Sequence, residues 1–309
     1  MFLSEIRPRE SGRAGYSPRP MLLGVVLGLS ASACWALANV FVQRSARLIG
    51  TFRALLWAQV LGALMVVPAL PFEARTMAPT AVHVAWVVGA GAAALLAYVS
   101  MFYAFEHGRL TIAVPVMSSW AVIASALSLV LFREAIRPAQ LGGAGLVIAG
   151  AVIVSRFVSA TSAAPGTDDA TATPRWLLAS FGAALGFGIV IPAIGVLSPV
   201  TGKLGVIPVV YVADILIGLP LARRYGVSLA PPRGRVWLPV ALAGLFETAG
   251  FACIALATRY APLALVSPLS SLASAFTVFF AWAFLGERPA KPVLLGAALV
   301  STGVLILSL

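Results

Sequence analysis

The chain has 309 residues, 61% of them apolar and only 10% charged, with a mean hydropathy of +1.00. Soluble globular chains carry about 25% charge, so this composition excludes an ordinary water-soluble domain and points to a bilayer. The formal charge of +11 does not indicate nucleic acid, because the arginines sit in the N-terminal tail and in short gaps between apolar runs, with no basic helix face.

Residues 1–20 hold four arginines and two glutamates and read as a flexible cytoplasmic tail. The apolar run starting at Met21 is too long for the hydrophobic region of a signal peptide and fits a spanning helix. A hydrocarbon core about 30 Å thick needs about 20 apolar residues at about 1.5 Å each. Ten such runs follow, at roughly 21–43, 52–71, 81–105, 110–132, 138–157, 176–197, 203–222, 236–258, 262–285 and 291–309. Arg109, Arg133, Pro138, Arg175 and Arg259 mark boundaries between them. Backbone groups in hydrocarbon must satisfy one another, so these runs are helices, and their lack of alternation excludes a β-barrel. The polar stretch rich in Ala, Thr, Ser, Gly and Asp from Ser159 to Pro174 reads as a linker. The expected organisation is a tail at 1–20, five helices in 21–157, a linker at 158–175 and five helices in 176–309.

The two halves are related. A uniform shift of 153 places Pro115 on Pro268, Ser118 on Ser271, Glu134 on Glu287, Gly143 on Gly296, Gly150 on Gly303 and Gly91 on Gly244. Five helices is an odd number, so the second half enters the membrane upside down. The expected fold is an all-α membrane protein with ten transmembrane helices as two inverted five-helix repeats. Inverted repeats about an axis in the membrane plane are a transporter architecture.

Charge inside a span is costly, about 2.5–3.5 kcal/mol on insertion scales, and the mid-span acids are Asp214 in the seventh run and Glu247 in the eighth. The uniform shift puts Leu61 and Ala94 opposite them, so this polarity belongs to the second half alone. Glu247 has Gly244 and Gly250 three residues to either side, which clears one helix face beside the carboxyl. It either couples transport to protons or contacts a cationic group of the substrate, or it is a protonated side chain satisfied by Ser, Thr or backbone. Asp214 follows Tyr211 by three residues and reads as a Tyr–Asp hydrogen bond or as a substrate-facing polar pair. Ser32, Trp35 and Asn39 share one face of the first run, suiting a cavity lining or a polar helix seam. Ser118 and Ser119 near Pro115, and Ser267, Ser270, Ser271 and Ser274 around Pro268, mark matching weak points, and such paired discontinuities point to a binding site. Gly186, Gly188 and Pro192 form a further candidate hinge. Tyr98, matched by Phe251, and Tyr103 are candidate aromatic walls, with interface anchoring the other reading for Tyr103.

Cys34 and Cys253 lie in apolar runs and read as packing residues. His83 and His107 fall near span ends, and no HExxH, GxSxG or P-loop pattern is present, so neither an enzyme, a metal site nor a cofactor is expected. The rival class is a non-transporting scaffold or assembly subunit, which would need no cavity.

The segment APLALVSPLSSLASAFTVFFAWAFLGERPAKPVLLGAALVSTGVLIL closely resembles the EamA-type module of the drug/metabolite transporter superfamily, and FREAIRP in the first half is a weaker copy of its LGERPA turn. The resemblance covers residues 21–309. It implies ten helices, an inverted repeat, both termini cytoplasmic, and transport or export of small metabolites, amino acids or drugs across the bacterial inner membrane. Arg133 stands where the second half has Gly286, so the two turns are inequivalent. Glu134 and Glu287 each stand near arginines (Arg133 and Arg137, or Arg288) and read as interfacial ion pairs anchoring a loop, or as parts of a gate. Positive charge does not decide orientation. With the N-terminus inside, the inside segments hold nine basic residues, Arg7, Arg9, Arg13, Arg19, Arg75, Arg133, Arg137, Lys203 and Arg259, against the other twelve of the 21.

Overall fold

Apolar runs of this length become helices because hydrocarbon offers no partner for free backbone groups. In the computed structural model, which describes residues 18–132, 138–162, 174–257, 260, 269 and 272–307, every regular element is helical. The first half comprises α1 (Pro18–Ile49), α2 (Thr51–Val66, extended by a short 3-10 turn, Val67–Phe72), α3 (Ala81–His107), α4 (Leu110–Met117), α5 (Trp120–Phe132) and α6 (Pro138–Ser162). The second comprises α7 (Arg175–Thr201), α8 (Val206–Arg224), α9 (Trp237–Ala257), α10 (Ala273–Leu285) and α11 (Lys291–Leu307). Eight segments are long and apolar enough to cross a membrane, while α10 and α11 are shorter apolar helices among the described residues.

The fourth run is interrupted. Pro115 lies within α4, and Ser118 and Ser119 close a tight turn between α4 and α5, with Ser118 N–H donating to Val114 O and Ser119 N–H to Val116 O. Pro268 and Ser271, the expected counterparts, lie outside the described residues, as do Glu134 and Arg133. By contrast α7 runs unbroken through Gly186, Gly188, Pro192 and Pro199.

The halves interlock, and their most extensive contacts come in mated pairs. α3 lies along α7 as α1 lies along α9; α3 meets α8 as α2 meets α9; α1 packs on α10 as α5 packs on α7. α6 pairs with α11, its own counterpart. That last seam is tight and antiparallel. A Cβ on Gly143 would fall 2.8 Å from Gly303 O, and one on Gly150 would meet Gly296 O. Rising numbers on one helix thus oppose falling numbers on the other. Small residues make such close approach possible where lipid supplies no hydrophobic drive between helices. The buried seams are accordingly rich in alanine, including Ala31, Ala54, Ala58, Ala90, Ala94, Ala97 and Ala243. Large apolar side chains face outward instead, with Leu64, Val84, Leu141, Leu216, Leu238 and Trp282 all more than half exposed, as a lipid-facing surface requires.

Candidate functional site

Three helices of the first half and two of the second converge on a small cavity. Its walls include Val42 of α1, Ala58 and Gln59 of α2, Tyr98 and Phe102 of α3, Tyr211 of α8, and Gly244 and Glu247 of α9. Its free volume is about 10 Å³, room for about one water. Gly244 packs directly on the Ala58 backbone, so α2 and α9 touch and narrow the site from one side.

Glu247 and Tyr98 meet here. The Tyr98 hydroxyl donates to Glu247 Oε1 at 3.4 Å, and the carboxyl is half-buried. Tyr98 is buried and stands edge-on to Tyr211, with ring centroids 5.9 Å apart, and to Phe187, at 5.1 Å. Tyr98 thus stands among aromatic side chains of α7 and α8. Phe251 occupies the counterpart position on α9 and stands edge-on to Trp35 at 5.2 Å. Tyr103 is instead stacked on His107 at the helix end.

Asp214 is 1% exposed and departs from expectation. Its Oδ2 accepts from Gln59 Nε2 at 2.7 Å rather than from Tyr211, and its Oδ1 has no partner among the described residues. Gln59 was not singled out from the sequence, and the cause is the register. A Cβ on Gly91 would fall 2.6 Å from Ala213 Cβ, while one on the equivalent Gly244 would fall on Ala58. Ala58 is therefore the mate of Ala213, a shift of 155, and Gln59 is the mate of Asp214. Leu61 and Leu64 then fall on Leu216 and Leu219. Those identities were the available signal. The uniform shift of 153 missed it because one residue, Gly50, separates α1 from α2 whereas four, 202–205, separate α7 from α8.

The polar face of α1 turns to a seam and not to the cavity. Ser32 Oγ donates to Leu269 O in a partly buried bond, and Asn39 Nδ2 donates to Thr277 Oγ1 at 2.9 Å in a buried one, both to the second half. Trp35 lies against Gly250, and its indole N–H has no partner among the described residues. Ser118 Oγ returns to Val114 O of its own helix at 2.9 Å. Gly188 receives Ile123 of α5, and Pro192 is buried in α7. Cys34 and Cys253 are half-buried free thiols.

Glu287 also corrects expectation. Its carboxylate caps α4, accepting from Leu110 N–H at 3.0 Å, Thr111 N–H at 2.9 Å and Thr111 Oγ1–H at 2.8 Å. These are among the first N–H groups of a helix, which have no partner within it, and the positive helix end favours an anion. The preceding Gly286 explains the turn. Its φ of 69° lies in the left-handed region, where a Cβ is penalised, and its N–H closes α10 on Ala281 O. Glu287 thus joins the second half to the first through backbone donors, with no ion pair required.

The sequence matches the profile of the EamA-like transporter family over residues 22–156 and again over 174–309. No curated protein matches the chain. Among solved structures, one described only as the crystal structure of a protein superposes with a TM-score of 0.65 at 17% identity, covering 93% of this chain and 98% of its own. That likeness concerns the fold alone.

Proposed function

The chain belongs to the EamA-like transporter family, and we propose that it exports small metabolites, amino acids or drugs across the bacterial inner membrane by alternating access. It is an integral multi-pass membrane protein of the drug/metabolite transporter superfamily. In this reading α4 with α5, α10 and α11 complete ten crossings, five in 21–157 and five in 176–309, joined by the linker at 158–175. The antiparallel α6–α11 seam supports the inversion of the second repeat, since an odd number of crossings reverses its direction. Both termini then lie on the cytoplasmic side.

The observation that carries the reading is the Tyr98–Glu247 pair in a cavity between the halves. In this site Glu247 is the coupling group, binding a proton or the cationic group of a cationic or zwitterionic substrate in turn. Tyr98 and Tyr211 supply a hydroxyl donor and aromatic faces, and ring faces attract cations. The interruption at Ser118 and Ser119 behind Pro115 gives α4 and α5 freedom to hinge. Gly188 and Pro192 in α7, Pro268 and Ser271 in the other half, and the α1 face of Trp35 and Asn39 complete the proposed moving surfaces.

The test is uptake of a labelled panel of amino acids, organic cations and neutral metabolites into proteoliposomes, with and without an imposed proton gradient. Gradient-driven flux that Glu247→Gln abolishes supports the reading. Inertness across the panel, with a partner protein co-purifying stoichiometrically, assigns the chain to the scaffold class instead.

A further inference from the structure

The two-fold relation between the halves has a mechanical consequence. Suppose one half turns against the other to alternate access. Turning about an axis perpendicular to the two-fold leaves the halves equivalent, so both ends open or close together. Only a turn about the two-fold axis itself opens one end while closing the other, and reversing that turn exchanges the ends. Points on the axis then stay put.

A residue that touches its own repeat mate must lie on that axis. Among the described residues, two places meet this condition. On the α6–α11 edge, Val147 and its mate Val300 are both fully buried in one cluster, flanked by the Gly143–Gly303 and Gly150–Gly296 approaches. On the α2–α8 edge, Gln59 donates to its mate Asp214 at 2.7 Å, and both side chains are buried. Two points define a line, and its Gln59 end borders the Tyr98–Glu247 cavity. The Tyr98–Glu247 bond is not on it, because its mate would be Phe251 with Ala94, which forms no such bond.

We propose that Gln59 and Asp214 form the polar pivot of the transport cycle: a positioning pair, with Gln59 at the wall of the Tyr98–Glu247 cavity, that stays bonded in the inward and outward states. The inference rests on the transport reading above. It explains why a buried polar bond joins α2 to α8 at this level. A polar pair in a low-dielectric core is costly to separate, and on the axis it is never separated. It also divides the two mid-membrane acids, with Glu247 off the axis and free to change partners and Asp214 on it and held. Contacts at the helix ends lie about 15 Å from the midplane, half the hydrocarbon thickness, and must shift. The Glu287–Thr111 clamp is one of them.

The experiment uses the full chain with Cys34→Ala and Cys253→Ala, reconstituted in proteoliposomes. The pair Gln59→Cys with Asp214→Cys, or Thr111→Cys with Glu287→Cys, is joined by one short membrane-permeant bis-methanethiosulfonate. Transport is compared before and after linking in the same preparation. Linking 59 to 214 is expected to retain at least half of the flux, and linking 111 to 287 to reduce it at least tenfold. A tenfold loss on linking 59 to 214 overturns the pivot. If the unlinked 59/214 variant is inactive, the exchange variant Gln59→Asp with Asp214→Gln decides. It restores the bond across the axis and is expected to transport, whereas Gln59→Leu and Asp214→Leu alone are not. A monodisperse but inactive exchange variant overturns the proposal. If the parent chain carries nothing in the panel, the transport reading falls and the pivot with it, which the separate failure of the 59–214 link does not imply.

Discussion

Replacing Glu287 separates two accounts of the LGER turn. If the carboxylate serves as a helix cap, its value lies in three accepted bonds, two of them from N–H groups at the start of α4. Loss of a side-chain cap costs about 0.5–2 kcal/mol, and an anion at a helix N-terminus adds about 0.3–1 kcal/mol. The group is half-buried, so water replaces part of what is lost. Glu287→Ala is therefore expected to cost about 2 kcal/mol. Glu287→Gln keeps a carbonyl acceptor but loses the charge and one acceptor oxygen, and is expected to cost about 1 kcal/mol. For a chain of this size each kcal/mol moves the melting midpoint by about 2 °C. The assay is unfolding of purified protein in mild detergent, followed by intrinsic fluorescence, with Arg288→Ala measured beside it. The cap account expects Arg288→Ala to lie within about 1 °C of the parent. A loss with Arg288→Ala equal to that with Glu287→Ala would refute it and restore the ion pair.

Other outcomes follow from the same structure. Gly286→Ala puts a Cβ on a residue at φ 69° and is expected to destabilise by about 1 kcal/mol, read in the same melting assay. Gly150→Leu drives a side chain into Gly296 and Val300; overpacking of about 3 kcal/mol or more should lower folded yield sharply, measured by the monodisperse fraction on size exclusion, while Gly142→Leu, beside open space, should not. Thr277→Val removes the acceptor of the buried Asn39 bond and is expected to cost about 1 kcal/mol, with Asn39→Leu/Thr277→Val recovering most of it. Glu247→Gln should flatten the pH dependence of transport and Tyr98→Phe should weaken it less than tenfold, both measured as initial rates across pH 5.5–8.5 on the order of three units; an unchanged profile in Glu247→Gln would remove it as the coupling group.

Much of this protein is written along the chain. Apolar run length alone determines that it is helical and membrane-embedded, because hydrocarbon leaves the backbone no other choice. Repeated Gly91/Gly244, Gly143/Gly296 and Gly150/Gly303 announced two related halves, since a close helix approach tolerates only small residues and so preserves them at both mates. The mid-span acids were also visible, because charge is rare there. Tertiary structure decided the partners. A linear shift could not see that the α2–α8 register differs by two residues from that of α3–α9, so Gln59 stayed hidden as one more polar residue until Gly91 and Gly244 were found seated on Ala213 and Ala58. Nor could spacing show that Ser32 and Asn39 face a seam, or that Glu287 reaches backbone donors 176 and 177 residues away. Periodicity specifies which face of a helix is polar, but what that face meets depends on how separate helices are docked, and docking is a property of the packed bundle.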